Sequence, residues 1–115
     1  MRRGDVYLVD FEPAQGAEVN KRRPAVIVSN EGANRSVRRR RWGVIDVVPL
    51  TSRVSEVQPY QVLIPAQECG LRRDSRAQAE QVRAVSFGRL VEHVGHVPPL
   101  LMAQIDEALR VQLAL

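Results

Sequence analysis

Of 115 residues only one is cysteine, one is lysine and five are aromatic. Each shortage excludes something. Cys69 has no second thiol with which to form an internal disulfide or share a metal, so it reads as a structural residue. No stretch approaches the roughly 20 apolar residues that a membrane span needs, and Met1-Arg2-Arg3-Gly4-Asp5 leads straight into a strand pattern, not an apolar signal core. A cytoplasmic protein with no membrane association is expected. There is no glycine-rich phosphate loop, no His/Cys pairing at zinc spacing and no dense carboxylate cluster, so neither a metal nor a cofactor is expected. With so few aromatics, base stacking would fall to Trp42 or to arginine planes, and Trp42 has an equal claim to the core.

What is abundant is arginine: sixteen Arg beside Lys21, in a chain of net charge +4. The placement is uneven. Between Lys21 and Arg53 nine basic residues (Lys21, Arg22, Arg23, Arg35, Arg38, Arg39, Arg40, Arg41, Arg53) face only Glu31 and Asp46, a local net charge of +7. Such a cluster favours phosphate contacts and speeds encounter with a polyanion, and arginine can fork onto two phosphate oxygens at once. The run Arg38 to Arg41 also fits a plain solvated loop.

Length and ordinary composition, 44% hydrophobic and 26% charged, point to one folded domain over residues 1–115. Asp5 to Phe11, Arg23 to Ser29, Trp42 to Leu50 and Tyr60 to Ala66 read as strands bounded by Pro, Gly and polar breaks. Ala79 to Val85 suits a fifth strand, and Leu90 to Val97 is ambiguous. Asn30 to Arg41 has no apolar periodicity and is expected to be a mobile loop. After Pro98-Pro99, apolar residues at Leu101, Ile105, Ala108, Leu109 and Leu113 predict an amphipathic terminal helix. The expected architecture is mostly β with short helices: a small, partly open barrel of antiparallel strands with a C-terminal helix packed on it.

The stretch Gly16-Ala17-Glu18-Val19-Asn20-Lys21-Arg22-Arg23-Pro24-Ala25-Val26-Ile27-Val28-Ser29-Asn30, followed by Val48-Pro49-Leu50-Thr51-Ser52, resembles the MazF/PemK family of toxin endoribonucleases. Arg3-Gly4-Asp5-Val6, Gly70-Leu71, Asp74-Ser75, Glu80-Gln81-Val82-Arg83 and the terminal helix extend the resemblance in order over the whole chain. It implies an SH3-like barrel of the CcdB/PemK type, usually a homodimer, that cleaves single-stranded RNA without metal at short sequence motifs and is held inactive by a cognate antitoxin. The family's essential arginine falls on Arg23 and its essential threonine on Thr51. Glu18, Ser52 and Gln81 match groove-lining positions.

RNA carries its own nucleophile, the 2′-OH, so an enzyme need only align the backbone, stabilise added negative charge and move two protons. Arg23 and Thr51 suit charge stabilisation. Glu18 is the candidate base, although it could equally pair with Lys21 or Arg22 at the surface. Lys21, Arg22, Asn30, Arg38, Arg39, Arg40, Arg41, Ser52, Arg53 and Gln81 are the candidate RNA contacts. His93 and His96 could act as an acid–base pair, but on a regular strand residues three apart point to opposite faces. Two other readings compete: a non-catalytic gyrase poison of the same fold, resembling the CcdB-like proteins, and a nucleic-acid-binding domain without activity.

Overall fold

A computed structural model describes residues 1–18 and 21–115; Val19 and Asn20 of the stretch quoted above lie outside the described residues. The chain runs β1 (Asp5–Asp10), β2 (Arg22–Ile27), α1 (Glu31–Arg40), β3 (Val44–Thr51), β4 (Gln61–Ile64), α2 (Ala66–Cys69), β5 (Ser75–Gln78), β6 (Arg83–Ser86), β7 (Leu90–His96) and α3 (Pro99–Leu113). The strands form one antiparallel sheet in the order β4-β5-β3-β2-β1-β7, with β6 also on β3. Its ends do not pair among the described residues, in keeping with the partly open barrel expected.

β3 is the hub. One edge pairs with β2, from Ala25↔Pro49 to Ile27↔Val47. The other pairs first with β6 (Val44↔Ser86 to Val47↔Arg83) and then with β5 (Leu50↔Ala77, Thr51↔Arg76). Side chains alternate across a strand, and here both faces are covered. Val26, Val48 and Leu50 join a core with Val6, Ile64 and Ile105 of α3, whereas Ala25, Ile27 and Val47 join a second one with Val9, Phe11 and Ile45. That is why Ala25 to Val28 and Val47 to Leu50 are nearly continuous apolar runs.

The expected loop at 30–41 is mostly helix. Asn30 caps α1, its Oδ1 accepting the Ala33 N–H at 2.8 Å, and the acidic Glu31 sits in the first turn with Arg38, Arg39 and Arg40 in the last. Arginine is a good helix former, so no apolar stripe was needed to support the helix. One buried polar residue anchors it: Asn34 accepts from the Ser29 hydroxyl at 2.5 Å and donates to the Ser29 carbonyl at 2.8 Å, while the Ser29 Oγ accepts the Asp46 N–H at 3.2 Å. Trp42, outside any strand, is 77% exposed and is not core. The expected fifth strand divides into a 3-10 turn, Ala79–Gln81, and β6, while β5 lies just upstream.

Leu90–His96 is an edge strand with register shifts against β1, between Val6 and Tyr7 and between Leu8 and Val9. The irregularity corrects the expectation for the histidines. An extra residue in a strand turns later side chains over, and both His96 Nδ1 (2.9 Å) and His93 Nε2 (3.6 Å) approach the same oxygen of Asp5. Arg3-Gly4-Asp5 thus has a structural purpose: Arg3 bonds Asp106 of α3 at 2.6 Å, Gly4 adopts φ +94°, and Asp5 is buried. Gly95 lets β7 touch α2, because a Cβ there would sit 2.3 Å from the Cys69 carbonyl oxygen. Burial also pushes the Cys69 thiol up, leaving it an inert thiol.

Two outcomes follow for stability. Asn34→Ala should cost about 1–3 kcal/mol in urea denaturation, since it strands the Ser29 hydroxyl and carbonyl in the interior. Burial alone would raise the Asp5 carboxyl, but His96, the Arg2 N–H, His93 and the N-terminus together hold it below its ordinary value of 3.8. A depressed carboxyl contributes stability that is complete above the unfolded value and disappears as pH falls through the folded one. Asp5→Asn should therefore lower the melting temperature at neutral pH and flatten the stability–pH curve below about pH 4.

Candidate active site

Where β3 leaves β6 and takes up β5, its last residue opens onto a cleft. Ala17, Glu18, Arg23, Thr51, Ser52, Arg53, Arg76, Gln78 and Gln81 line this space of about 370 Å³. Six of them are residues singled out in the sequence: Glu18, Arg23, Thr51, Ser52, Arg53 and Gln81.

Arg23 is the second residue of β2, half-buried and opposite Val9 of β1. Counting on from Ala25↔Pro49 in the same antiparallel register puts Arg23 across from Thr51. Pro24 stands between and has no N–H to continue a ladder. The Thr51 hydroxyl is half-buried and accepts the Arg53 N–H at 3.3 Å, which folds Ser52 and Arg53 back over the strand end.

Glu18 comes from the β1–β2 connection, which is held at several points. Arg89 donates to the carbonyls of Asp10 and Glu12, the Lys21 N–H donates to Glu12 Oε1 at 2.6 Å, and Gln81 Nε2 donates to the Ala17 carbonyl at 3.0 Å. Within the connection the Glu18 N–H reaches the Gln15 carbonyl at 3.1 Å, and the Glu18 carboxylate accepts the Gln15 N–H at 2.6 Å. Gln81 therefore serves the cleft twice, as wall and as tether for the segment that carries Glu18.

Three cleft residues were not candidates from the sequence: Ala17, which lies beside Glu18, and the two polar residues Arg76 and Gln78. The last two are alternate residues of β5, whose other two members, Ser75 and Ala77, are buried. The alternation in Ser75-Arg76-Ala77-Gln78 was the available signal; four residues is a short run on which to read a period of two. Arg76 Nη1 donates to the carbonyls of Ser55 and Glu56 at 2.9 and 3.3 Å, and its buried Nε has no partner among the described residues. Three guanidiniums against one carboxylate make the lining net positive, which suits an anion.

The remaining candidates lie elsewhere. Lys21 is exposed at φ +63° and does not line the cleft; Arg22, also exposed, lines an adjoining space. Asn30 is occupied as the α1 cap, and Arg38 reaches the Met1 carbonyl at 3.0 Å. Arg38 to Arg41 end a helix that leads into the start of β3, whereas Thr51 is its last residue. The two ends of an eight-residue strand are about 23 Å apart. His93 and His96 are likewise absent from the cleft lining.

The profile of PemK-like, MazF-like toxins of type II toxin–antitoxin systems matches residues 2–113. Endoribonuclease MazF9 of Mycobacterium tuberculosis (strain ATCC 25618 / H37Rv) is 49% identical, covering 100% of this chain and 98% of that protein. Endoribonuclease EndoA of Bacillus subtilis (strain 168) is 33% identical, with 100% and 96% covered. Among solved structures, MazF from Deinococcus radiodurans shares the fold with a TM-score of 0.83 at 24% identity, over 100% of this chain and 97% of that one. A mycobacterial endoribonuclease in complex with its cognate antitoxin gives 0.79 at 25% identity, over 100% and 96%. With a matching profile over nearly all of its length and a relative almost half identical from end to end, the chain belongs to the PemK-like, MazF-like toxin family of type II toxin–antitoxin systems.

Proposed function

We propose that this chain is a metal-independent endoribonuclease that cleaves single-stranded RNA, with messenger RNA as target, in the cleft between β2, β3 and β5. The observation that carries the reading is the convergence of Glu18, Arg23 and Thr51 on one open, net-positive space. Arg23 grips the scissile phosphate through its planar donor set, and the Thr51 hydroxyl gives one more hydrogen bond to a non-bridging oxygen. Glu18 takes the proton of the 2′-OH as that oxygen attacks phosphorus. The P–O5′ bond breaks while Arg23 hydrogen-bonds the leaving oxygen, which takes up a proton from solvent as Glu18 releases its own. The products are a 2′,3′-cyclic phosphate and a 5′-OH. Arginine stays charged, so its contribution is electrostatic and the carboxylate is the better base. Ser52, Arg53 and Gln81 line the path of the strand.

The same positive lining suits the acidic tail of a cognate antitoxin, which would block RNA by occupying its place. A cytoplasmic homodimer under antitoxin control completes the proposal; the antitoxin part is supported by a mycobacterial endoribonuclease solved in complex with its cognate antitoxin. Lys21, Arg22 and the α1 arginines act at longer range, attracting RNA without reading bases. A gyrase poison of the CcdB-like kind gains no support from the relatives, which are named endoribonucleases.

Purified protein should cut single-stranded RNA in the presence of EDTA. Arg23→Ala and Thr51→Ala should each lower kcat by about 10² to 10³ while circular dichroism and melting stay near wild type. Cleavage at the wild-type rate by both variants would remove the site assignment. A triple Arg39→Ser, Arg40→Ser, Arg41→Ser variant should bind RNA several-fold more slowly at low salt with kcat unchanged, read by stopped-flow fluorescence; an unchanged association rate would relegate the run to helix-end charge.

A further inference from the structure

Gln61 opens β4 and is buried, and its side-chain amide bridges two segments of the chain that wall the cleft. Its Oε1 accepts the Gln58 N–H at 3.0 Å, and its Nε2 donates to Glu80 Oε2 at 2.6 Å. The Gln61 N–H returns to the Gln58 carbonyl at 2.9 Å, so two bonds close the turn that ends the β3–β4 connection. That connection begins with Ser52 and Arg53 of the cleft, and Arg76 grips its middle at Ser55 and Glu56. Turning the Gln61 amide over would set donor against donor at Gln58 and acceptor against acceptor at Glu80, so one orientation is fixed.

Glu80 and Gln81 are consecutive residues of the 3-10 turn Ala79–Gln81, whose first residue is buried and whose end is closed by the Val82 N–H on the Ala79 carbonyl at 3.1 Å. So tight a turn has little freedom, and holding the Glu80 side chain fixes the direction in which Gln81 leaves it. Gln81 in turn reaches the Ala17 carbonyl at 3.0 Å, next to Glu18. Side-chain hydrogen bonds joined by one peptide bond therefore lead from the β3–β4 connection through Gln61, Glu80 and Gln81 to the segment that carries Glu18. Neither Gln61 nor Glu80 lines the cleft. A buried amide costs more than an apolar side chain of its size unless its bonds are made, and what those bonds supply is a single geometry.

We infer that Gln61 and Glu80 are positioning residues for the cleavage reaction: their hydrogen bond sets the 3-10 turn so that Gln81 holds Glu18 where the 2′-OH proton is taken. The inference rests on the ribonuclease reading, with Glu18 as base, and deepens it by placing the support of that carboxylate outside the cleft. Loss of the bond lets the β1–β2 connection shift, while Arg23 and Thr51, carried by strands, still bind phosphate. Turnover falls and affinity does not.

The test separates this coupling from folding and from chemistry. Glu80→Ala removes the acceptor from a half-buried side chain, Gln61→Met keeps the buried bulk and loses both side-chain bonds, and Glu80→Gln keeps an acceptor. Each is assayed on a single-stranded RNA of mixed sequence in EDTA, well below its own melting midpoint. Glu80→Ala and Gln61→Met should each lower kcat about ten- to a hundredfold with KM within about twofold, and Glu80→Gln should restore most of the loss. In a Gln81→Ala background, already without the tether, Glu80→Ala should add less than about a twofold loss. The Gln15 and Glu18 amides, followed by hydrogen exchange in the protein without RNA, should exchange several-fold faster in Glu80→Ala and Gln61→Met than in the wild type. Unchanged kcat and exchange in both variants, a rise in KM alone, or losses that multiply in the Gln81→Ala background would each overturn the inference. If exchange quickens as expected while the wild type cuts no RNA, the ribonuclease reading fails and the tether remains.

Discussion

β3 has hydrogen-bonded neighbours along both edges, and its change of neighbour on one of them is the constraint from which the cleft follows. From Val44 to Val47 its backbone on that edge is paired with β6; where β5 takes over, at Leu50 and Thr51, the strand is about to end. Its other edge meets β2, whose Pro24 cannot donate to a ladder. The result is a place where three strands meet and backbone pairing between two of them has stopped, so that side chains face a space of their own. Arg23, Thr51 and Arg76 are there because the strand registers bring positions 23, 51 and 76 together.

The surroundings keep that place still. Gln81, Arg89 and Glu12 tether the β1–β2 connection, Arg76 fastens the residues after β3, and Asp74 and Ser75 fasten the turn before β5. Most of these bonds run from a side chain to a backbone group. They position the connecting segments with modest individual strength, about 1 kcal/mol each, while leaving other charged groups outward. Preorganised charge of this kind is what a reaction developing negative charge on phosphate requires. It is also what an acidic inhibitor would exploit.

The basic residues divide into two populations that composition alone does not separate. Arg23, Arg53 and Arg76 converge on the cleft, whereas Arg38, Arg39 and Arg40 lie in the last turn of α1 beside the negative end of its dipole. Arg3 and Arg89 are structural, one joined to α3 and the other to the β1–β2 connection. The consecutive arginines at 38–41 draw attention in the sequence, yet the scattered ones at 23, 53 and 76 share the cleft.

Buried elements with strong local patterns were legible from the residues: the apolar runs of β2 and β3, and the proline-started α3 with its three- and four-residue spacing. Arg23, Thr51 and Glu18 were legible as candidates through the ordered resemblance around Arg23-Pro24 and Pro49-Leu50-Thr51. Residues 30–41 misled because a helix stabilised by a cap, good helix formers and one buried Asn34 has no apolar stripe to read. His93 and His96 misled because a strand's period fails at a bulge, and bulges follow from pairing with β1, not from the residues of β7. Arg76 and Gln78 were hidden in a four-residue strand. By itself, then, the order of residues determined the strand-rich character, the positive charge and the terminal helix, all of which arise from local patterning. Tertiary structure alone decided which charges meet, because register, bulges and the handover from β6 to β5 are properties of neighbouring strands and exist only once those strands have paired.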